Sequence, residues 1–228
     1  MTQSNGQLEP AETSPDSDAA RAAPEEVSVA PRQLAGAARV PLETEVESAA
    51  AGWIDPFDQA WHLVRAMDWL VMIDPEASLE MRLAVMTHDI ERMFPGGPSI
   101  DKATCRWDDP DYLYAHASRS ADVVENWLGE RSLASGLDMA ELRRLITLHE
   151  FGGLDGADAV QAADSLSFLE TLRGVVRSWV TSDECGVEQA RAKHQYMADR
   201  IRLPAAGHLA GPLLEGALAS LEDLVAVA

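Results

Sequence analysis

Leu83-Ala84-Val85-Met86-Thr87-His88-Asp89-Ile90-Glu91-Arg92 is the stretch whose reading decides the fold. An apolar helical run delivers an adjacent His and Asp. An imidazole beside a carboxylate can bind one metal ion, or two neighbouring ions, from a single helical turn. Further ligand types follow on either side. His62 stands 26 residues before His88, His116 stands 28 after it, His149 lies 33 further on, and Asp164 lies 15 beyond that. Each falls in a segment with the i, i+3, i+4 apolar spacing of a helix. One His on an apolar face is commonly a packed core residue, and a His-Asp dipeptide alone is weak evidence. The signal is the ordered set H…HD…H…H…D, which takes four of the six His in the chain and places them on four helical segments. Nitrogen and carboxylate donors without thiolate suit one or two divalent transition metal ions such as Zn, Fe or Mn.

Bulk properties narrow the class. The 228 residues suffice for one core but not for several large domains. Apolar residues make up 46%, the net charge is −20, and the isoelectric point lies near 4.5. Such a charge repels phosphate backbones and anionic lipid, so neither nucleic acid nor membrane is expected as a partner. An anionic substrate would need local Arg or Lys. The two cysteines, Cys105 and Cys185, form no metal-binding pair and no disulfide framework, and no secretory signal is visible. No apolar run reaches the length of about 18 residues expected of a spanning helix. A cytoplasmic protein is the expectation.

Residues 1–45 read as a disordered acidic tail rich in Pro, Ala, Ser, Glu and Asp, and residues 46–228 as one all-helical domain whose onset is marked by Trp53. Asp55 and Pro56 predict the start of a helix from Phe57 to Ile73, and Asp74-Pro75-Glu76 the start of another to about Met93. Pro95-Gly96-Gly97-Pro98 ends it. Further helices are predicted over Tyr112–Leu128, Asp138–His149, Asp158 to about Val180, Val187–Ile201 and Pro212–Val227. The loop with Lys102, Arg106, Trp107, Asp108, Asp109 and Tyr112 is a candidate lid. Trp61, Trp69, Trp127 and Trp179 read as core, and His194 and His208 as incidental. The fold class is all-α.

His62, His88-Asp89, His116 in His116-Ala117-Ser118-Arg119, His149 in Leu148-His149-Glu150, and Asp164 in Ala163-Asp164-Ser165 together resemble the HD-domain superfamily of metal-dependent enzymes, over about Trp53 to Ile201. The resemblance implies an HD-domain-like helical bundle with the metal site in its middle. It implies that His62, His88, Asp89 and Asp164 hold a first metal, that His116 and His149 serve a second, and that Asp89 bridges the two. Two styles of chemistry come with the family. One is phosphohydrolysis, in which paired cations about 3.5–4 Å apart activate a water. The other is oxygenation by a mixed-valent di-iron centre.

Around the ligands, Arg92, Arg119, Arg65 and Lys193 are candidate substrate-binding residues, each weighed against a plain surface charge. Arg92 stands where hydrolase relatives often carry Glu or His, and Arg cannot serve as a base. Glu150 is a candidate acid/base group or ligand orienter. The leading expectation is a phosphohydrolase acting on a small phosphorylated metabolite or nucleotide. The alternatives are a di-iron oxygenase acting on a small organic or phosphonate substrate, and a non-catalytic helical module with a structural metal. The apolar C-terminal helix leaves homo-oligomers open.

Overall fold

The computed structural model describes residues 40–100 and 106–225, and among these the ordered elements are all helical. In chain order they are α1 (Glu45–Ile54), α2 (Ala60–Ile73), α3 (Leu79–Thr87), a 3-10 turn (Ile90–Met93), α4 (Pro110–Glu130), α5 (Met139–Leu148), α6 (Ala157–Thr171), α7 (Arg173–Thr181), α8 (Val187–Asp199), α9 (Pro204–Ala219) and α10 (Glu222–Val225). The all-α expectation holds. The tail expectation for residues 1–39, and the lid expectation at Lys102, fall outside the described residues. No described helix is long and apolar enough to cross a membrane.

Helix α6 is the axis of the bundle. It is buried on nearly every side, and its small residues Ala157, Ala159, Ala162, Ala163, Ser165 and Ser167 let neighbours approach closely. It packs against α2 most extensively, and also against α3, α5, α8 and α9. The turn into it needs Gly156. That residue has φ +75, and a Cβ there would meet Leu145 Cδ2 at 3.2 Å. Trp53 of α1 stacks on Trp127 of α4 with centroids 4.3 Å apart.

Several boundaries differ from the sequence expectation, each for a local reason. Helix α1 lies ahead of the first helix that the sequence predicts. It starts with a capping box in which Thr44 accepts from Glu47 N–H while the Glu47 side chain takes the Thr44 N–H. Residues 40–44 belong to this start rather than to a free tail. Val40 N–H donates to Asp68 Oδ1 at 2.9 Å, and Arg82 donates to the Pro41 carbonyl at 3.0 Å. Helix α2 begins at Ala60, because residues 55–59 form turns that bury Phe57. Ser78, not Asp74, caps α3 by accepting from Met81 N–H at 3.3 Å.

Helix α3 also stops at Thr87, one residue before the His-Asp doublet. His88 turns its ring back on the Val85 carbonyl, and the chain tightens into 3-10 geometry. The run predicted from Asp158 to Val180 breaks at Leu172, where Arg173 Nε donates to the Leu169 carbonyl at 3.0 Å. Helix α9 starts at Pro204, where proline suits the first turn, and runs on through Pro212. Trp61 is exposed rather than core. Trp69 and Trp127 are buried as expected.

Two buried groups make the interior sensitive to substitution. Glu47, fully buried, accepts from Arg82 Nε at 2.5 Å, and Arg82 is itself buried. Removing the carboxylate leaves an uncompensated buried guanidinium, and breaking such a pair costs about 3 kcal/mol or more. Glu47→Ala is therefore expected to lower unfolding stability by about 3 kcal/mol in urea denaturation. An effect below about 1 kcal/mol would contradict the pairing.

His194 of α8 is likewise not incidental. It is fully buried against Phe168, and neither ring nitrogen has a hydrogen-bond partner. Burial, helped by Arg173 and Lys193, pushes its pKa down to about 4. The unfolded chain takes up this proton first, so stability is present above pH about 6.5 and is lost as pH falls toward 4. The stability of wild type minus that of His194→Leu should fall by on the order of 2–3 kcal/mol across this window. A difference that does not vary with pH would contradict it.

Candidate metal centre

Five helices deliver the six candidate ligands to one place. His62 comes from α2, His88 caps the C-terminus of α3 with Asp89 next to it, His116 comes from α4, His149 caps the C-terminus of α5, and Asp164 comes from α6. The four His are fully or almost fully buried. Asp164 Oδ1 lies 3.2 Å from His62 Nε2 and 3.3 Å from His88 Nε2. Asp89 Oδ1 lies 2.8 Å from His116 Nε2, 3.8 Å from His149 Nε2 and 3.9 Å from His88 Nε2. Ligand atoms about 2.1 Å from a shared cation, at angles near 90–110°, stand about 3.0–3.4 Å apart. The two Asp164 separations match that spacing, and the two longer Asp89 separations lie just beyond it.

Three overlapping groups can each hold an ion, their donor atoms all within 4.8 Å of one another. They are His62, His88 and Asp89; His88, His149 and Asp164; and Asp89, His116 and His149. Asp89 belongs to two of them and sits between the His62–His88 side and the His116–His149 side.

The imidazoles are aimed by hydrogen bonds on their other nitrogen. His88 Nδ1–H donates to the Val85 carbonyl at 3.0 Å, and His149 Nδ1–H donates to the Ile146 carbonyl at 2.7 Å. His62 Nδ1 bonds Ser167 Oγ at 2.8 Å, and that hydroxyl donates to the His62 carbonyl. His116 Nδ1 meets Glu91 Oε1 at 2.8 Å. Each bond directs Nε2 to the centre, as outer partners do for metal-ligating His. His88 Nε2 and His149 Nε2 are left buried with no hydrogen-bond partner. Orphaned buried nitrogens are rare and call for a partner. A cation among the carboxylates would supply one, so these residues fit a metal.

Electrostatics point the same way. Burial opposes charge on both Asp89 and Asp164. Arg92, His88 and His116 nevertheless hold Asp89 well below the usual carboxylate range, and Arg200, His88 and His62 do the same for Asp164. Burial also disfavours the His88 cation, yet Asp164 and Asp89 raise its pKa to about 9. His149, with weaker carboxylate support, is pushed down by burial. The site holds fixed negative charge that draws a proton or a metal cation to the same nitrogens.

The structure sorts the other candidates. Arg92 reaches the centre from the 3-10 turn: its Nε lies 3.1 Å from Asp89 Oδ2, and a terminal nitrogen lies 3.3 Å from His116 Nε2. Lys193 of α8 lines the same cavity, with its ammonium 5.3 Å from the ring centres of both Phe168 and Tyr196. Among the described residues no carboxylate lies within ion-pair distance of it. Burial pushes its pKa down to about 8. Arg65 is not at the site: it is buried between Asp68 and Glu170 and stacks on Trp69. Arg119 is also turned away. It pairs with Glu91 Oε2 at 3.1 Å and with the Phe94 and Pro95 carbonyls. Gly97 packs so tightly on that pair that a Cβ would fall 2.3 Å from both partners. Arg119 thus positions Glu91, which aims His116. Glu150 lines the cavity, but Arg200 grips its Oε2. Burial opposes its charge, and Arg200 and His149 hold the carboxyl far below its ordinary range. A carboxylate held that way does not carry protons at neutral pH.

Arg200 is the residue the sequence reading undervalued. It looks like one more charge near the end of α8. Its side chain is buried, bonds Asp164 Oδ2, Glu150 Oε2 and Ser165 Oγ at once, and leaves Asp164 Oδ1 facing His62 and His88. Glu91 and the His149-Glu150 doublet were legible only in part, and Ser167 not at all. His-acid after an apolar helix end occurs twice in the chain, and both copies place the His at a helix C-terminus, where the macrodipole favours a cation.

Glu91→Gln and Ser167→Ala should each weaken metal binding about 10–100-fold in chelator competition, with helical content unchanged by circular dichroism. Unaltered affinity in both variants would show that the outer hydrogen bonds do not aim the ligands.

Comparison of the chain with protein-family models, with curated proteins and with solved structures found no match in any of the three. The donor set and its geometry are therefore what identify the site: a buried His/Asp cluster, compatible with an HD-type centre, that could hold a metal.

Proposed function

We propose that this chain is an HD-type metal-dependent phosphohydrolase acting on a small phosphorylated metabolite or nucleotide. The observation that carries the reading is the pair of buried nitrogens without a hydrogen bond, His88 Nε2 and His149 Nε2, beside Asp164 and Asp89, two carboxylates that line a cavity of about 340 Å³. His62, His88, Asp89 and Asp164 would hold one ion, and His116 and His149, with Asp89 shared, a second. Divalent cations in such a site lower the pKa of a water and stabilise charge on a phosphoryl group.

The chain's own groups account for the rest. Arg92 and Lys193 bring positive charge to a strongly acidic protein at the place where an anionic head would sit. Lys193 is the freer of the two, since Arg92 is already engaged by Asp89. With a pKa of about 8, the Lys193 ammonium is mostly protonated at neutral pH. Arg200 keeps Asp164 and Glu150 ionised, and the buried helix faces exclude water from the imidazoles.

One observation favours the di-iron oxygenase as second reading. Asp89, Asp164 and Glu150 are all tied to Arg or His, so no unpaired carboxylate among these three serves a hydrolytic proton relay. The same His/carboxylate set accepts iron.

The test is turnover with defined metals. Protein reconstituted with Mn should release phosphate from at least one member of a panel of phosphomonoesters and nucleotides. Asp89→Ala should abolish this release, and Lys193→Ala should lower kcat/KM about 10–100-fold. Oxygen uptake by the iron-loaded protein, without phosphate release under any metal, would move the assignment to the oxygenase. Neither activity with any metal would overturn both.

A further inference from the structure

The cavity has two chemically different halves. The polar half is the centre itself, with His62, Asp89, Asp164, Arg92 and Lys193. The other half is mainly apolar, with Glu184 and Cys185 lining it beside Trp179, and the residues from α6 into α7 build most of it. From Asp164 the residues at steps of four, four, three and four are Phe168, Leu172, Val175 and Trp179, and all line the same cavity. Asp164 and Phe168 share a face of α6, Val175 and Trp179 share a face of α7, and Leu172 stands at the break between them, so a shared cavity lining rather than one continuous helix leads away from a candidate ligand. Met197 of α8 lines the cavity as well.

The stripe is not sealed core. Val175 and Trp179 remain part-exposed, while Val176, on another face of α7, is fully buried. Lys193 stands at the junction of the halves: its ammonium lies over Phe168, the first apolar residue past Asp164. A small, fully polar substrate such as a free sugar phosphate would leave this arm without a partner.

We propose that the site takes an amphiphilic substrate: one anionic head held at the Lys193 and Arg92 end, and an alkyl or aryl body lying along Phe168, Leu172, Val175 and Trp179. This deepens the reading of the cavity as a substrate site for an anion and rests on it. It does not depend on which reaction follows. Lys193 fixes where the head stops, and the stripe sets how much apolar body is accepted. Burial of each methylene contributes about fourfold in affinity.

The experiment is calorimetric titration of the Mn-loaded full-length chain with n-alkylphosphonates from methyl to decyl, which cannot be hydrolysed as esters. The dissociation constant should fall about fourfold per methylene and then level off once the arm is filled. Val175→Trp, which narrows the arm, should bring the plateau to shorter chains. Leu172→Ala, which widens it, should move the plateau to longer chains. Thermal unfolding of both variants checks their folding, and the wild-type series stands without them. A constant affinity across the series, or no binding at any length, would overturn the proposal. Phosphate release with a flat series would leave the hydrolase reading intact and remove this one. A graded series without phosphate release would do the reverse.

Discussion

Two carboxylates, Asp89 and Asp164, sit ionised in the middle of a helical bundle, and the rest of the site is arranged to make that tolerable. A buried charge is costly unless it is paired and hydrogen-bonded. Asp164 receives Arg200 on one oxygen and the rings of His62 and His88 on the other. Asp89 receives Arg92 on one oxygen and faces three imidazoles with the other. Five helices must converge within a few ångströms to provide this. The small-residue surface of α6 and the early termination of α3 and α5 at their His residues follow from that requirement.

The partition of basic residues has the same origin. The chain carries 18 Lys and Arg against 38 Asp and Glu, so a cation near the centre is set there against a general excess of acid. Arg200 and Arg92 neutralise Asp164 and Asp89. Arg119 steadies Glu91 behind His116, and Arg65 and Arg82 hold helices together through Glu170 and Glu47. Lys193 lines the cavity and, in the proposed reading, meets the anionic head. Its position over Phe168, where the polar wall gives way to the α6–α7 stripe, ties the electrostatics of the centre to the shape of what can reach it.

The all-helical class and the convergence of His62, His88, Asp89, His116, His149 and Asp164 could be read from the sequence, because helical spacing and ligand type are both local signals. Helix ends were less legible. The Ser78 cap and the Thr44–Glu47 box compete with equally plausible caps nearby, and only packing decides between them. Which Arg serves the site was legible only for Arg92, one helical turn after His88. Arg65, Arg119 and Arg200 look alike in sequence, and their roles depend on carboxylates up to 105 residues away, as with Arg65 and Glu170. His194 is similar: its burial and its missing hydrogen bonds come from the packing of α8 on α6, not from its neighbours in sequence.

The most direct test of the central claim is metal content. Protein purified without chelator or a metal-binding tag should carry, or take up on titration with Mn, Fe or Zn, two ions per chain. His88→Ala and Asp89→Ala should lose them while keeping the helical circular dichroism spectrum. A wild-type chain that holds no metal and takes up none would contradict the account.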